Sequence, residues 1–324
     1  MHRFKSAASL LLWSALLVSL LAPARAETFP TRPIHLILPF QPGGIVDFAG
    51  RVLAQKLGDA LGQTIVPDNR PGAGGIVGLD YVAHSTPDGY NIVLIDPSVV
   101  INPTLQKSLP FDVFKDLVTV SIINSSPEVL VVAPQLGIKT YPELVAYGKA
   151  NPGKLNYASA GVGTTPHLAA AMWAQQTGIN AVHVPYKGVG PSFVDLMSNK
   201  VQMEFSSIAG ALPFTSKGSV IPLATTGLKR SPVYPDLPTV SEFLPGYNVD
   251  LWLGVYGPAN MPPDVLAKLN AGIAKALQDE QLKAAFAKFG LTPRGTSVPE
   301  GAAFTKTEYE KWKKVITDGH ITLD

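Results

Sequence analysis

The chain has 324 residues, 26 Lys+Arg against 24 Asp+Glu, and no cysteine. Without Cys, thiolate metal sites, cysteine nucleophiles and a lipid-anchored Cys at a mature N-terminus are excluded. The charge balance offers no basic surface for nucleic acid or anionic membrane.

Residues 1–26 read as a signal peptide. His2, Arg3 and Lys5 form a basic start, "LLLWSALLVSLLAP" an apolar run, and Ala24 to Ala26 a small-residue cleavage site. The apolar run falls short of the roughly 18 residues of a membrane span. A signal peptide cleaved near Ala26 implies export. Without Arg3, Lys5 and Arg25, the 23 remaining Lys+Arg face 24 Asp+Glu, so the mature chain is near neutral. Its length suits one large or two medium domains.

From there, short β-rich runs alternate with helical patterns. "IHLILP" reads as a strand, followed by a helix over about Asp47 to Leu61. "TIVPDN" is a strand, the helix after "RPGAGG" runs from about Ile76 to Ser85, and "YNIVLID" and "EVLVVAP" are strands. "YPELVAYGKAN" is a helix with Thr140 as N-cap. "LNYAS" (strand), "TPHLAAAMWAQQTG" (helix), "AVHVPY" (strand) and "VGPSFVDLMSNK" (helix) follow. Strands "VQMEFSS" and "VIPLATTG" precede one or two helices over "PPDVLAKLNAGIAKALQDEQLKAAFAKFG" and a last helix in "PEGAAFTKTEYEKWKKVIT". This alternation predicts an α/β fold with mainly parallel strands.

Two glycine breaks open helices. In "PFQPGGIVDFAGRVLAQKL", Gly43 and Gly44 permit a sharp turn before a stripe of Ala49, Val52, Leu53, Leu57 and Leu61. Unpaired N–H groups and the helix dipole there suit an anion; alternatively Asp47 caps its own helix and the glycines only turn the chain. "NYASAGVGTTPHLAAAMW" repeats the pattern, with Thr165 as expected N-cap, Pro166 at N1 and Gly178 as the stop. Ser159, Thr164 and Thr165 supply hydroxyls beside Gly161 and Gly163. Neutral donors at two helix starts suit a small carboxylate better than a triphosphate. His167, in the first turn, either donates to a bound anion or caps and packs.

Other chemistry lacks its residues. The dinucleotide fingerprint needs Gly where Val77 stands, and no P-loop occurs. Tyr157 and Glu204 occupy the first-glycine positions of a nucleophile elbow at Ser159 and Ser206. The six His are scattered without metal-ligand spacing, and His35 and His183 fall in strands as structural residues. No catalytic residue, metal site or cofactor is expected. Asn69 and Arg70 read as turn-locking residues, Trp252 as core, and Tyr186 and Lys187 as either cleft or solvated loop residues.

The segments "PFQPGGIVD", "DNRPGAGGIVG", "PDGY", "INPTL", "LNYASAGVGTTPHL", "VPYKGVGPSFVDLMSNKV", "KRSPVYPDLPTVSEFLPGY", "WLGVYGPANMPPDVLAKLN" and "GHITLD" together resemble the Bug-type extracytoplasmic solute receptors of tripartite tricarboxylate transporters. The resemblance implies a two-domain periplasmic binding protein of the type II Venus flytrap class. Residues 27–126 and 253–324 would form one domain and 127–252 the other, joined by crossing strands. It implies a monomer that holds a small organic carboxylate in the cleft and partners inner-membrane transporter subunits. The ligand loops would be Phe40 to Asp47, including Gly43 and Gly44, and Ser159 to His167, including Ala160, Gly163, Thr164 and Thr165, with Ser98 on a third loop.

Two departures from the family pattern stand out. Ser206 replaces an Asp that could pair with a ligand amine, so a carboxylate without an amino group is expected. Ala171 replaces a frequent Glu. A ligand-sensing subunit for a signalling partner and an exported hydrolase are the competing classes; the hydrolase lacks convergent titratable groups.

Overall fold

The computed structural model describes residues 29–323; the expected signal peptide and its cleavage site lie outside the described residues. The elements belong to one compact unit, Arg32–Asp324. Strand β1 (Ile34–Leu38), helix α1 (Ile45–Leu61), β2 (Ile65–Asn69), α2 (Ile76–Ala83) and β3 (Asn91–Ile95) come first. Helix α3 (Ser98–Leu105) leads to the long strand β4 (Leu117–Val132). Then follow α4 (Tyr141–Ala150), β5 (Leu155–Ser159), α5 (Thr165–Thr177), β6 (Ala181–Pro185), α6 (Val189–Met197), β7 (Met203–Ser207), α7 (Ile208–Thr215) and β8 (Ile221–Thr225). Strand β9 (Asp250–Pro258) precedes α8 (Pro263–Ala276), α9 (Glu280–Lys288), β10 (Thr292–Pro293) and α10 (Val298–Asp318).

Among the described residues the strands join in the order β2-β1-β3-β9-β4-β7-β5-β6, with β8 and β10 added to β4. Two groups, β2-β1-β3 and β6-β5-β7, are parallel, as βαβ passages require. Between them β4 and β9 run antiparallel. Strand β4 pairs with β9 from Leu117 to Pro127 and with β7 and β8 from Glu128 to Val132. Two parallel groups bridged by long crossing strands make the two-domain Venus flytrap α/β fold.

Local chemistry explains the elements. Helix α1 buries Val46, Ala49, Leu53 and Leu57. A Cβ on its Gly50 would lie 2.4 Å from Leu38 Cδ2, so glycine lets the helix rest directly on β1. Thr140 caps α4 in a capping box with Glu143, as its sequence predicts. The expected N-cap at Thr165 shifts by one residue: Thr164 is extended, and Thr165 and Pro166 are already helical.

Alternating side chains along β4 feed two cores. Leu130 and Val132 enter the larger cluster, which runs from Ile37 and Val93 through Trp252 to Trp173 and Tyr247, and so spans both strand groups. Val129 and Val131 face a second cluster with Ala158, Phe193 and Leu196. Ala171 sits inside the larger apolar cluster, surroundings in which a methyl group needs no polar partner. Trp252 is fully buried, and its indole N–H donates to Glu308 at 2.9 Å.

Candidate functional site

The first glycine break is organised around Asp47. Its carboxylate is buried and accepts the Gly43 N–H at 3.0 Å, Arg51 Nε at 2.9 Å and Asn69 Nδ2 at 3.0 Å. Asn69 Nδ2 also donates to the Phe40 carbonyl at 3.1 Å, and Arg51 Nη2 donates to Asn69 Oδ1 at 2.7 Å. The Arg51 guanidinium foremost, with the Gly43 amide and Asn69, holds the carboxyl down at about 2 against the opposing effect of burial. Asp47 therefore ties the loop to its own helix and to β2, and fixes Phe40 through Asn69. Arg70, beside it, pairs with Asp68 at 2.9 Å and covers the Tyr81 ring.

The second break is tied from beneath. Ser159 is fully buried; its hydroxyl lies 2.7 Å from His183 Nε2 and bonds both the N–H and the carbonyl of Gly161. The Gly163 N–H donates to His167 Nδ1 at 3.0 Å, and Thr164 Oγ1 donates to the Gly161 carbonyl at 2.7 Å. His167 and His183 stack at 3.8 Å, with Tyr157 beyond His183. Burial, then the neighbouring His183, pulls His167 down to about 3; burial pulls His183 to about 4. Both rings are neutral near pH 7. His167 thus accepts a loop amide rather than offering a positive charge to an anion.

Two further segments approach the same place. Asn102 on α3 donates to the Gly74 carbonyl at 3.0 Å, in a turn where Ala73, Gly74 and Gly75 all have positive φ. At the start of α3, the N–H and hydroxyl of Ser98 both donate to Asp96 Oδ1.

These segments enclose a cavity of about 490 Å³. Phe40, Ala73, Gly74, Ser98 and Asn102 line one side; Val162, Gly163, Thr164, Thr165 and Pro166 line the other. Leu251, from β9, and Leu323 add apolar wall. The sides come close: a Cβ on Gly163 (φ 77°) would lie 2.5 Å from Leu105 Cδ1. Hydroxyls, the Asn102 amide and first-turn N–H groups of α5 supply neutral donors. Among the lining residues there is no Lys, Arg or His. Such a cavity can hold an anion through dipoles and release it without breaking an ion pair.

Comparison with known proteins places this geometry. Residues 49–321 match the tripartite tricarboxylate transporter family receptor. The chain belongs to that family. BugT of Bordetella pertussis is 36% identical over 300 residues, covering 92% of each chain. The solved structure of R. palustris Rpa4515 with adipate has a TM-score of 0.78 at 30% identity, covering 91% of this chain and 99% of that one. MatC (Rpa3494) from Rhodopseudomonas palustris with bound malate has a TM-score of 0.74 at 28% identity, covering 89% and 100%. The protein is a solute receptor and not an enzyme.

Of the residues singled out in the receptor's sequence, Phe40, Ser98, Gly163, Thr164 and Thr165 line the cavity. Gly43, Gly44, Asp47, Ser159, Ala160 and His167 lie outside its lining, and several of them build the loops behind it. Ser206 is also outside: it is fully buried on β7, opposite Val129, with an unpartnered hydroxyl. Its replacement of Asp therefore says nothing direct about a ligand amine. Lys187 is exposed, and Tyr186 donates to Asp195 at 2.8 Å. Sequence reasoning missed Ala73 and Gly74, whose "RPGAGG" run signals the same close backbone approach as the other glycine breaks. It also missed Asp96, Asn102, Leu251 and Leu323, which only the folded chain brings together.

Proposed function

We propose that this receptor captures a small organic carboxylate between its two domains and delivers it to the inner-membrane subunits of a tripartite tricarboxylate-type transporter. The observation that carries the reading is the cavity lining: neutral donors from both sides, no cationic side chain among the described lining residues, and Asp96 as a single acidic one. The carboxylates adipate and malate bound to Rpa4515 and MatC support the ligand class. The switch of β4's partners between Pro127 and Glu128 supports a division into residues 27–126 with 253–324 and residues 127–252. Closure of the two domains over the ligand would then present a surface to the transporter. The same reading takes the receptor as a monomer, as the family resemblance implies, and the basic-apolar-"ARA" start supports export to the periplasm with cleavage near Ala26.

The expectation of a ligand without an amino group rested on Ser206 and is not carried into this proposal. A thermal-shift panel of mono-, di- and tricarboxylates tests the rest. A ligand at one hundred times its Kd stabilises by about 2.7 kcal/mol, enough to raise the melting temperature measurably. At least one class should do so. A panel in which no carboxylate shifts the melting temperature, on protein stripped of any co-purified ligand, contradicts the proposal.

A further inference from the structure

Asp96 stands out within the cavity. It is the only ionisable side chain among the described lining residues, and it carries the charge sign that a carboxylate ligand would repel. It follows β3 directly, at the end of the strand where α/β folds place their ligands. Its two oxygens are not equivalent. Oδ1 receives both the Ser98 N–H, at 3.0 Å, and the Ser98 hydroxyl. Oδ2 accepts no hydrogen bond from another residue among the described ones, and the side chain is partly exposed at the cavity wall. No charged side chain offsets it, and burial pushes its carboxyl above the usual range. The rest of the lining is neutral donors and apolar walls such as Leu105, Leu251 and Leu323, so Oδ2 is open to the cavity and free to meet a ligand group.

We infer that Asp96 is a specificity-determining residue: Asp96 Oδ2 accepts a hydrogen bond from a donor group on the ligand, so the receptor selects carboxylates that also bear a hydroxyl or ammonium group. This rests on the carboxylate reading above and deepens it. The α5 side of the cavity takes the ligand's carboxylate, and the β3 end reads the donor. Ser98 holds Oδ1 and thereby aims Oδ2 at the cavity. A ligand lacking the donor takes water away from Oδ2 without replacing its hydrogen bond and sets two carboxylates against each other.

Matched ligands test the idea by calorimetry: succinate against malate and aspartate, and benzoate against 4-hydroxybenzoate and 4-aminobenzoate. In at least one set, the donor-bearing acid should bind the wild type about ten-fold or more tighter than its plain counterpart, the scale of a hydrogen bond to a charged group. Malate against aspartate tells a hydroxyl partner from an ammonium partner. Asp96→Asn keeps an acceptor for Ser98 and places an NH₂ where Oδ2 stood. This variant should lose the preference while binding the plain acid at least as well as the wild type does. Asp96→Ala, which removes both oxygens, should also lose the preference. Equal wild-type binding of plain and donor-bearing acids, or a preference that survives in Asp96→Asn, overturns the inference while leaving the carboxylate reading intact. Absence of binding by any acid to the wild type overturns both.

Discussion

Asp47 shows how a charged residue can order a loop behind the cavity wall without lining the cavity itself. Its carboxylate is held at about 2 by Arg51, the Gly43 amide and Asn69, and Asn69 in turn fixes the carbonyl of Phe40 at the cavity wall. The folded-state value lies below the ordinary 3.8. The stability it contributes is therefore fully present above pH 4 and lost as pH falls towards 2. Asp47→Ala should destabilise the protein by about 2 kcal/mol at pH 7 in a denaturant titration, and by little near pH 2. It should also weaken carboxylate binding by loosening the first loop. A variant with wild-type stability and affinity would reduce Asp47 to an idle surface cap. At this scale the sequence was informative about Asp47, because an acid in a first turn after glycines has few other roles. It left His167 open between donor and cap, because the ring's neutrality comes from burial first and then from His183, stacked on it from sixteen positions away.

Strand β7 carries a conflict between element and residue. Glu204 lies within it, opposite Val131 and beside Ala158, both members of an apolar cluster. Ser192 donates to one oxygen at 3.1 Å and the other has no partner. Burial pushes this carboxyl up to about 8, so it is protonated in the folded protein at pH 7. Because the folded value exceeds the unfolded one, stability falls as pH rises from about 4.5 to 8. Glu204→Gln keeps the Ser192 bond and removes the titration. It should raise stability by about 2–4 kcal/mol at pH 8 and have little effect at pH 4.5. Equal effects at the two pH values would show that Glu204 does not titrate in the strand.

Elements with clean periodicity and ordinary caps, such as α1 and α4, were legible in the sequence. Helices α3 and α7 were not, since Pro103 and Pro213 stand inside them and proline ordinarily ends a helix. Strand β4 was visible only from Glu128 onward: its first half mixes Ser, Asn and Pro127 into the apolar pattern, and only pairing with β9 shows that it continues.

At the scale of the molecule, the alternation of strands and helices already implied an α/β fold, and the two glycine breaks implied opposed helix starts. What no local pattern reveals is the crossing of β4 and β9, because pairing partners up to 141 positions apart in the chain fix it. The same holds for the cavity, whose Leu251 and Leu323 walls come from segments far from the glycine loops. The proposed function rests on that assembly: neutral donors from two segments of the chain face one space, across strands that connect the two sides. Native mass spectrometry of the receptor as purified from its host tests this most directly. A bound small organic acid, released on denaturation and rebinding the stripped protein at one copy per chain, is the predicted result. A bound cation or uncharged solute that no carboxylate displaces would contradict it.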